Sequence, residues 1–159
     1  MQIKSENSTP YLVDNETRII EQALTILKDR MTVRGDALTN PADVKSFLTL
    51  KISELEHEVF SCLFLDTKHC LIEYREIFRG TVNGASVYPR EIVKEALACN
   101  AQAVIFAHNH PSGSTEPSQA DKAITARLVS ALELIDVRAL DHFIVGQDNI
   151  LSFAESGLM

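Results

Sequence analysis

The stretch AHNHPSGSTEPSQAD, residues 107–121, concentrates the side chains of this sequence that are suited to binding a metal ion. His108 and His110 end an apolar run that reads as a β-strand, and side chains two residues apart on a strand point to the same side. After a proline-containing loop, Ser118 and Asp121 fall in the first turn of a predicted helix. Two imidazoles and one carboxylate are therefore expected to converge from two rigid elements.

This combination of side chains matches a catalytic zinc site, which has three protein ligands and a fourth position that is open to water. A structural zinc site would be closed by a fourth ligand, often a thiolate, and the cysteines of this chain show no CxxC spacing. Zinc lowers the pKa of bound water to about 7, which suits a hydrolase. The sequence thus predicts one zinc ion per chain, bound by His108, His110 and Asp121.

A zinc hydrolase also needs a side chain that moves protons and a donor for the developing oxyanion. Glu58 directly precedes the apolar run 59–65, so it is expected at the start of a central strand. The hydroxyl of Ser118, on the same helical turn as Asp121, is the expected oxyanion donor. The spacing S-x-x-D is also a helix-capping pattern, and the two roles are compatible.

Hydrophobic periodicity predicts a mixed α/β fold, a sheet flanked by helices in the order α-α-β-β-α-β-α-β-β. Helices are predicted over residues 16–31, 41 to about 55, 89 to about 100, and 118–135. Strands are predicted over residues 58–66, 70–80, 101–109, 137–146 and 149–153. Helical spacing also predicts that Ile20 and Leu97 face the core.

Several local signals predict where these elements begin and end. Residues 1–12 are polar and are expected to form a loose arm, with Asp14 or Asn15 capping the first helix. Asn40 before Pro41 indicates an N-cap followed by the first helical position. An Asn-Gly pair at residues 83–84 predicts a turn.

Length, composition and charge narrow the class of protein. A chain of 159 residues suits one domain, and no apolar run approaches the length of a membrane span. The N-terminal residues lack the basic and apolar regions of a secretory signal, so a cytoplasmic location is expected. The net charge is −7 and the 15 basic residues are scattered, so strong nucleic-acid binding is not expected.

The motif H-x-H, seven residues, then S-x-x-D, resembles the metal signature of the JAMM (MPN/JAB) metalloenzymes. The stretches FRGTVNGASVYPREIVKEAL and AHNHPSGSTEPSQAD are similar to the RadC branch of that superfamily. The resemblance runs from about residue 58 to the C-terminus. It implies a JAB/MPN-type domain over residues 38–159, preceded by an arm and helix over residues 1–37, in the short form without an N-terminal helix-hairpin-helix region.

The resemblance also implies roles for individual residues. The zinc ligands would be the two histidines and the aspartate of the motif, and Ser118 would orient or stabilise the reaction intermediate. A remote glutamate serves as general acid/base in the superfamily. Glu58 fits this role best because it precedes the first core strand. The competing glutamates are Glu54, Glu56 and Glu73.

The function expected from this resemblance is zinc-dependent hydrolysis of an amide bond in a peptide or protein, as in metallopeptidases and isopeptidases. One alternative is a zinc enzyme acting on nucleotides or nucleic acid. It would need a basic groove near the histidines, for which the candidates are Lys122, Arg127, Arg79 and Arg90. A second alternative is a non-catalytic MPN interaction module. For His142, a buried core position is favoured over support of a metal ligand.

Overall fold

A computed structural model of the chain describes residues 10–33, 40–80 and 87–159. Within these ranges the elements follow the order α-α-β-β-α-β-α-β-β, which confirms the prediction. The helices are α1 (Pro10–Val33), α2 (Pro41–Ile52), α3 (Pro89–Ala98) and α4 (Gln119–Glu133). The strands are β1 (Val59–Leu65), β2 (Leu71–Arg79), β3 (Ala103–Asn109), β4 (Arg138–Val145) and β5 (Ile150–Ser152).

The strands form one mixed sheet in the order β2-β1-β3-β4-β5. Strands β3 and β4 are parallel, and the other neighbouring pairs are antiparallel. The parallel pair is connected through α4, as expected where two parallel neighbours need a crossover. Every residue of β1 and of β3 is buried, so the centre of the sheet is covered on both faces.

Alternating side chains divide the interior into two cores. Helices α1 and α2 pack with one face of the sheet, which carries Ile105 and Phe143. Helices α3 and α4 pack with the other face, which carries Phe60 and Phe106. His108 is in phase with Phe106, so it belongs to the face covered by α4.

The register of the central strands brings the predicted site residues to one edge of the sheet. Phe60 of β1 pairs with His108 of β3, and His108 pairs in turn with Ile144 of β4. Continuing the antiparallel register by two residues places Glu58 opposite His110. The beginning of β1 and the ends of β3 and β4 therefore meet where α4 begins.

The predicted start of the first helix is wrong. Helix α1 begins at Pro10, so the last residues of the predicted arm are helical, and Asp14 and Asn15 lie inside the helix instead of capping it. Proline is favoured in the first turn of a helix because the N–H it lacks would have no partner there. Residues 11–18 include no glycine or second proline that would delay the helix.

The predictions that Ile20 and Leu97 face the core are also wrong, since their exposed fractions are 37% and 59%. Helical spacing identifies one side of a helix, but burial also needs a partner for that side. Helix α1 is buried at Leu27 and Met31, towards its C-terminal end. Helix α2 ends at Ile52, earlier than predicted.

The predicted Asn-Gly turn at residues 83–84 lies outside the described residues. In the parts of the chain that the structure describes, no helix is both long and apolar enough to cross a membrane.

The Asn40 cap provides a test of how α2 begins. The Asn40 side chain accepts a hydrogen bond from the Ala42 N–H at 3.0 Å, directly before Pro41. We expect Asn40→Ala to lower the free energy of unfolding by about 1 kcal/mol, measured by urea denaturation, because an N–H of the first turn loses its acceptor. Asn40→Ser should retain most of the stability. An unchanged urea midpoint for Asn40→Ala would contradict the capping role.

Candidate metal centre

Three side chains that can bind a metal ion meet at the edge described above. One potential ligand atom each from His108, His110 and Asp121 lies within 4.8 Å of the others. The Nε2 atoms of the two histidines are 2.9 Å apart. Asp121 Oδ1 is 3.3 Å from His108 Nε2, and Asp121 Oδ2 is 3.6 Å from His110 Nε2. His108 and Asp121 are buried, whereas His110 is partly exposed to solvent.

Backbone contacts fix the loop that connects the two ligand-bearing elements. His110 N–H donates to Val145 O at 2.9 Å, which continues the pairing of β3 with β4. Gly113 N–H then turns back to His110 O at 2.9 Å, and Gly113 adopts a φ of 83°. The loop packs closely on Gly146, where an added Cβ would lie 2.4 Å from Gly113 O. Both glycines are thus required by the path of this loop.

The hydrogen-bond partner of His110 determines which ring nitrogen carries its proton. His110 Nδ1 lies 2.8 Å from Ser114 O. A carbonyl oxygen can only accept, so in the neutral ring the proton is on Nδ1 and the lone pair is on Nε2. His110 Nε2 therefore faces Asp121 as a potential metal ligand.

A longer chain of hydrogen bonds determines the tautomer of His108. The Thr125 hydroxyl donates to Asp121 O at 2.6 Å, so it accepts from His142 Nδ1 at 2.6 Å. His142 Nε2 is then unprotonated and accepts from His108 Nδ1 at 2.8 Å. This leaves the lone pair of His108 on Nε2, directed at His110 and Asp121.

These tautomers show that the site suits a cation. Two unprotonated nitrogens 2.9 Å apart repel each other unless a cation, either a proton or a metal ion, lies between them. A carboxylate oxygen completes the set, and imidazole nitrogen and carboxylate oxygen are common metal ligands. The three residues are thus able to hold a metal ion.

Electrostatics keep the carboxylate of this group ionised. Burial acts to raise the pKa of Asp121, but interactions with the neighbouring His108 and His110 rings outweigh it and hold the pKa well below its usual value. The pKa of His110 is raised, chiefly by the adjacent Asp121 carboxylate, which favours the protonated ring, and with a smaller contribution from Glu58. Asp121 can therefore supply a negative charge to a bound cation.

His142 is buried as predicted, but it is also the direct partner of the candidate metal ligand His108, a role that the sequence analysis did not favour. Its ring lies among Phe60, Phe106 and Phe153, with centroid separations of 5.4, 5.8 and 4.7 Å. Burial and the nearby His108 lower the pKa of His142 well below its usual value, so its ring stays neutral. The register could have revealed this contact, because His142 pairs with the strand residue two positions before His108.

Ser118 and Asp121 form the predicted capping box at the start of α4. Ser118 Oγ accepts the Asp121 N–H at 3.0 Å, and Asp121 Oδ2 accepts the Ser118 N–H at 2.8 Å. The Ser118 hydroxyl also donates to Asp121 Oδ2 at 2.7 Å. The cap therefore holds the carboxylate that faces the histidines, and the capping and metal-binding interpretations describe the same geometry.

Among the candidate glutamates, the structure brings Glu58 to the site. Its position in the register opposite His110 agrees with its electrostatic contribution to the pKa of that histidine. Glu54 and Glu56 are exposed. Glu73 pairs with Phe64, near the other end of β1, and its carboxylate lies 2.8 Å from Arg75 Nη2.

The contact between His142 and His108 leads to a prediction about metal affinity. His142→Leu removes the acceptor for His108 Nδ1–H, which frees the ring to rotate and to change tautomer. We expect zinc affinity to fall about 10- to 100-fold, measured by competition with a chromophoric chelator. Phe153→Leu, which alters packing against the same ring, should stay within a few-fold of the wild type. Unchanged affinity in His142→Leu would contradict the orienting role.

The double role of Asp121 leads to a second prediction. As a cap alone, Asp121→Asn would cost about 0.5–1 kcal/mol of stability. As a metal ligand, it should also abolish the rise in melting temperature on adding zinc, because a ligand stabilises only the state that it binds. Ser118→Ala damages the same cap but keeps all three ligands, so it should retain the zinc response. If both variants respond like the wild type, Asp121 is not a metal ligand.

Comparison with known proteins agrees with this geometry. Residues 38–158 match the RadC-like JAB domain family. The chain is 56% identical over 142 residues to a protein of Vibrio cholerae serotype O1 named UPF0758 protein, covering 89% of each chain. It is 58% identical over 126 residues to the UPF0758 protein of Marinobacter nauticus, covering 79% of this chain and 56% of the relative, so it spans about half the length of that protein. The chain belongs to the RadC-like JAB domain family.

Proposed function

We propose that this chain is a zinc-dependent hydrolase of the JAMM type that cleaves amide bonds, including isopeptide bonds, in peptides or proteins. The observation that carries the proposal is the orientation of His108 and His110. A hydrogen bond at Nδ1 fixes each ring, and the Nε2 lone pairs of both rings face the buried Asp121 carboxylate. Membership of the RadC-like JAB family indicates metal-dependent hydrolysis as the reaction class.

The donor set supports zinc as the metal in this proposal. His108, His110 and Asp121 would hold the ion with two nitrogens and one oxygen, a number of protein ligands typical of catalytic zinc sites. When bound, zinc supplies Lewis acidity that activates water near neutral pH. The partly exposed His110 marks the side from which solvent and substrate reach the centre.

Glu58 is the proposed general acid/base. Its position opposite His110 suits a carboxylate that removes a proton from the attacking water and delivers one to the departing nitrogen. Ser118 orients Asp121 through the capping box. To donate to the developing oxyanion as well, the Ser118 hydroxyl must give up its hydrogen bond to Asp121 Oδ2. Asp121 Oδ2 then still accepts the hydrogen bond from the Ser118 N–H.

The charges around the site favour a peptide over a nucleic acid. Arg79 lies 3.2 Å from a carboxylate oxygen of Glu76, and Arg90 lies 3.4 Å from one of Glu91. Two of the basic candidates are thus partly neutralised, and the net charge of the whole chain is −7. These observations support an amide substrate in a peptide or protein.

The proposed roles are tested with zinc-loaded protein and a mixture of synthetic peptides and isopeptides, with cleavage detected by mass spectrometry. The wild type should hydrolyse members of the mixture, lose this activity with a chelator and regain it with zinc. Glu58→Gln should retain zinc but lose about 10²- to 10⁴-fold in kcat, because an amide cannot exchange protons. Glu56→Gln is the matched control, since it neutralises an exposed acid two residues away.

Two results would contradict the proposal in different ways. Full activity in Glu58→Gln would transfer the proton-transfer role to another residue. A wild type that binds zinc but cleaves no amide in the mixture would overturn the proposed peptidase function.

A further inference from the structure

We infer that Asn109, the residue between the two histidines, is a positioning residue that holds Glu58 in register with the metal centre. This inference rests on the proposed role of Glu58 as general acid/base. The Asn109 side chain lies on the face of the sheet opposite to the one that carries the histidines, because successive residues of β3 point to opposite faces.

The Asn109 side chain is 1% exposed and makes three hydrogen bonds to the segment around Glu58. Its Oδ1 accepts the Val59 N–H at 2.7 Å. Its Nδ2 donates to His57 O at 3.0 Å and to Leu55 O at 3.3 Å. The contacts therefore lie on both sides of Glu58 along the chain.

The pattern of donors and acceptors requires a carboxamide at position 109. The Val59 N–H can only donate, and the carbonyls of Leu55 and His57 can only accept. A carboxylate would place an oxygen against two carbonyl oxygens, and an alanine would leave three backbone groups without this partner. Asparagine uses its oxygen and both amide hydrogens here.

The backbone of Glu58 is held from a second side as well. Glu58 O accepts the Gly80 N–H at 2.9 Å, immediately after β2. Asn109 thus fixes the segment to β3, while Gly80 fixes it to the edge of the sheet. Of these two contacts, only the one from Asn109 originates on the strand that carries His108 and His110.

The tripeptide His108-Asn109-His110 consequently combines two functions in one strand. Its outer residues direct nitrogens at the metal site, and its central residue sets the position of the segment that bears the proposed proton-transfer group. Catalytic groups misplaced by about 1 Å can lose about 100-fold in rate. Loss of the Asn109 contacts should therefore reduce the chemical step while leaving the metal ligands in place.

Ser61→Ala is the matched control for Asn109→Ala. Ser61 is also buried and its hydroxyl donates to Ala107 O at 3.2 Å, so it joins the same two strands without contacting the Glu58 segment. Asn109→Asp is a second test variant, because it keeps an acceptor for Val59 N–H and replaces the two donated bonds by repulsion between oxygen atoms. Each variant is prepared as the full chain.

The first measurement is amide hydrogen exchange, which does not depend on catalysis. In Asn109→Ala we expect exchange at Val59 to accelerate at least about tenfold, with little change at the centre of β3, whereas Ser61→Ala should leave Val59 protected. The zinc-induced rise in melting temperature should persist in both. Unchanged protection at Val59, or loss of zinc binding in Asn109→Ala, would overturn the inference even if the wild type cleaves no peptide.

The second measurement is a double-mutant cycle on the peptide activity described above. Asn109→Ala and Asn109→Asp should lower kcat about 10- to 100-fold with KM within about twofold, and Ser61→Ala should stay near the wild type. In the Glu58→Gln background, Asn109→Ala should cost less than about twofold more. Equal losses in both backgrounds would show that Asn109 does not act through Glu58, which would overturn the inference while leaving the proposed function intact.

Discussion

The Nε2 atoms of His108 and His110 lie 2.9 Å apart, and the structure around them presents both as hydrogen-bond acceptors. Ser114 O fixes the proton of one ring on Nδ1, and His142 does the same for the other. Two lone pairs and the ionised Asp121 carboxylate then face one another in a largely buried place. A shared cation, either a proton or a metal ion, removes this repulsion, so the three side chains are placed where they could hold a metal ion.

Each of the three candidate metal ligands belongs to, or directly follows, a rigid element of the fold. The histidines end a fully buried central strand, and Asp121 belongs to the first turn of α4. The capping box holds the carboxylate, and the positive end of the helix favours its negative charge. Asp121 therefore both caps the helix and contributes its carboxylate to the candidate metal site, and one side-chain position satisfies both roles.

Both faces of the sheet contribute to this one edge. The face covered by α4 carries the two histidines of the candidate metal site and the aromatic residues that enclose His142. The face covered by α1 and α2 carries Asn109, whose carboxamide reaches the segment before β1. Because strand residues alternate between faces, neighbouring positions of β3 can bind a metal and position a second strand without competing for space.

The order of the elements and the convergence of His108, His110 and Asp121 were determined by the sequence alone, because strand alternation, helical periodicity and capping are local patterns. Helix α1 begins earlier than predicted, at Pro10, because a proline is compatible both with a loop and with the first turn of a helix. The contacts of His142 and Asn109 were decided only by tertiary structure. They join residues 34 and 50 positions apart, and such pairs depend on which strands are neighbours and in what register, which local periodicity does not encode.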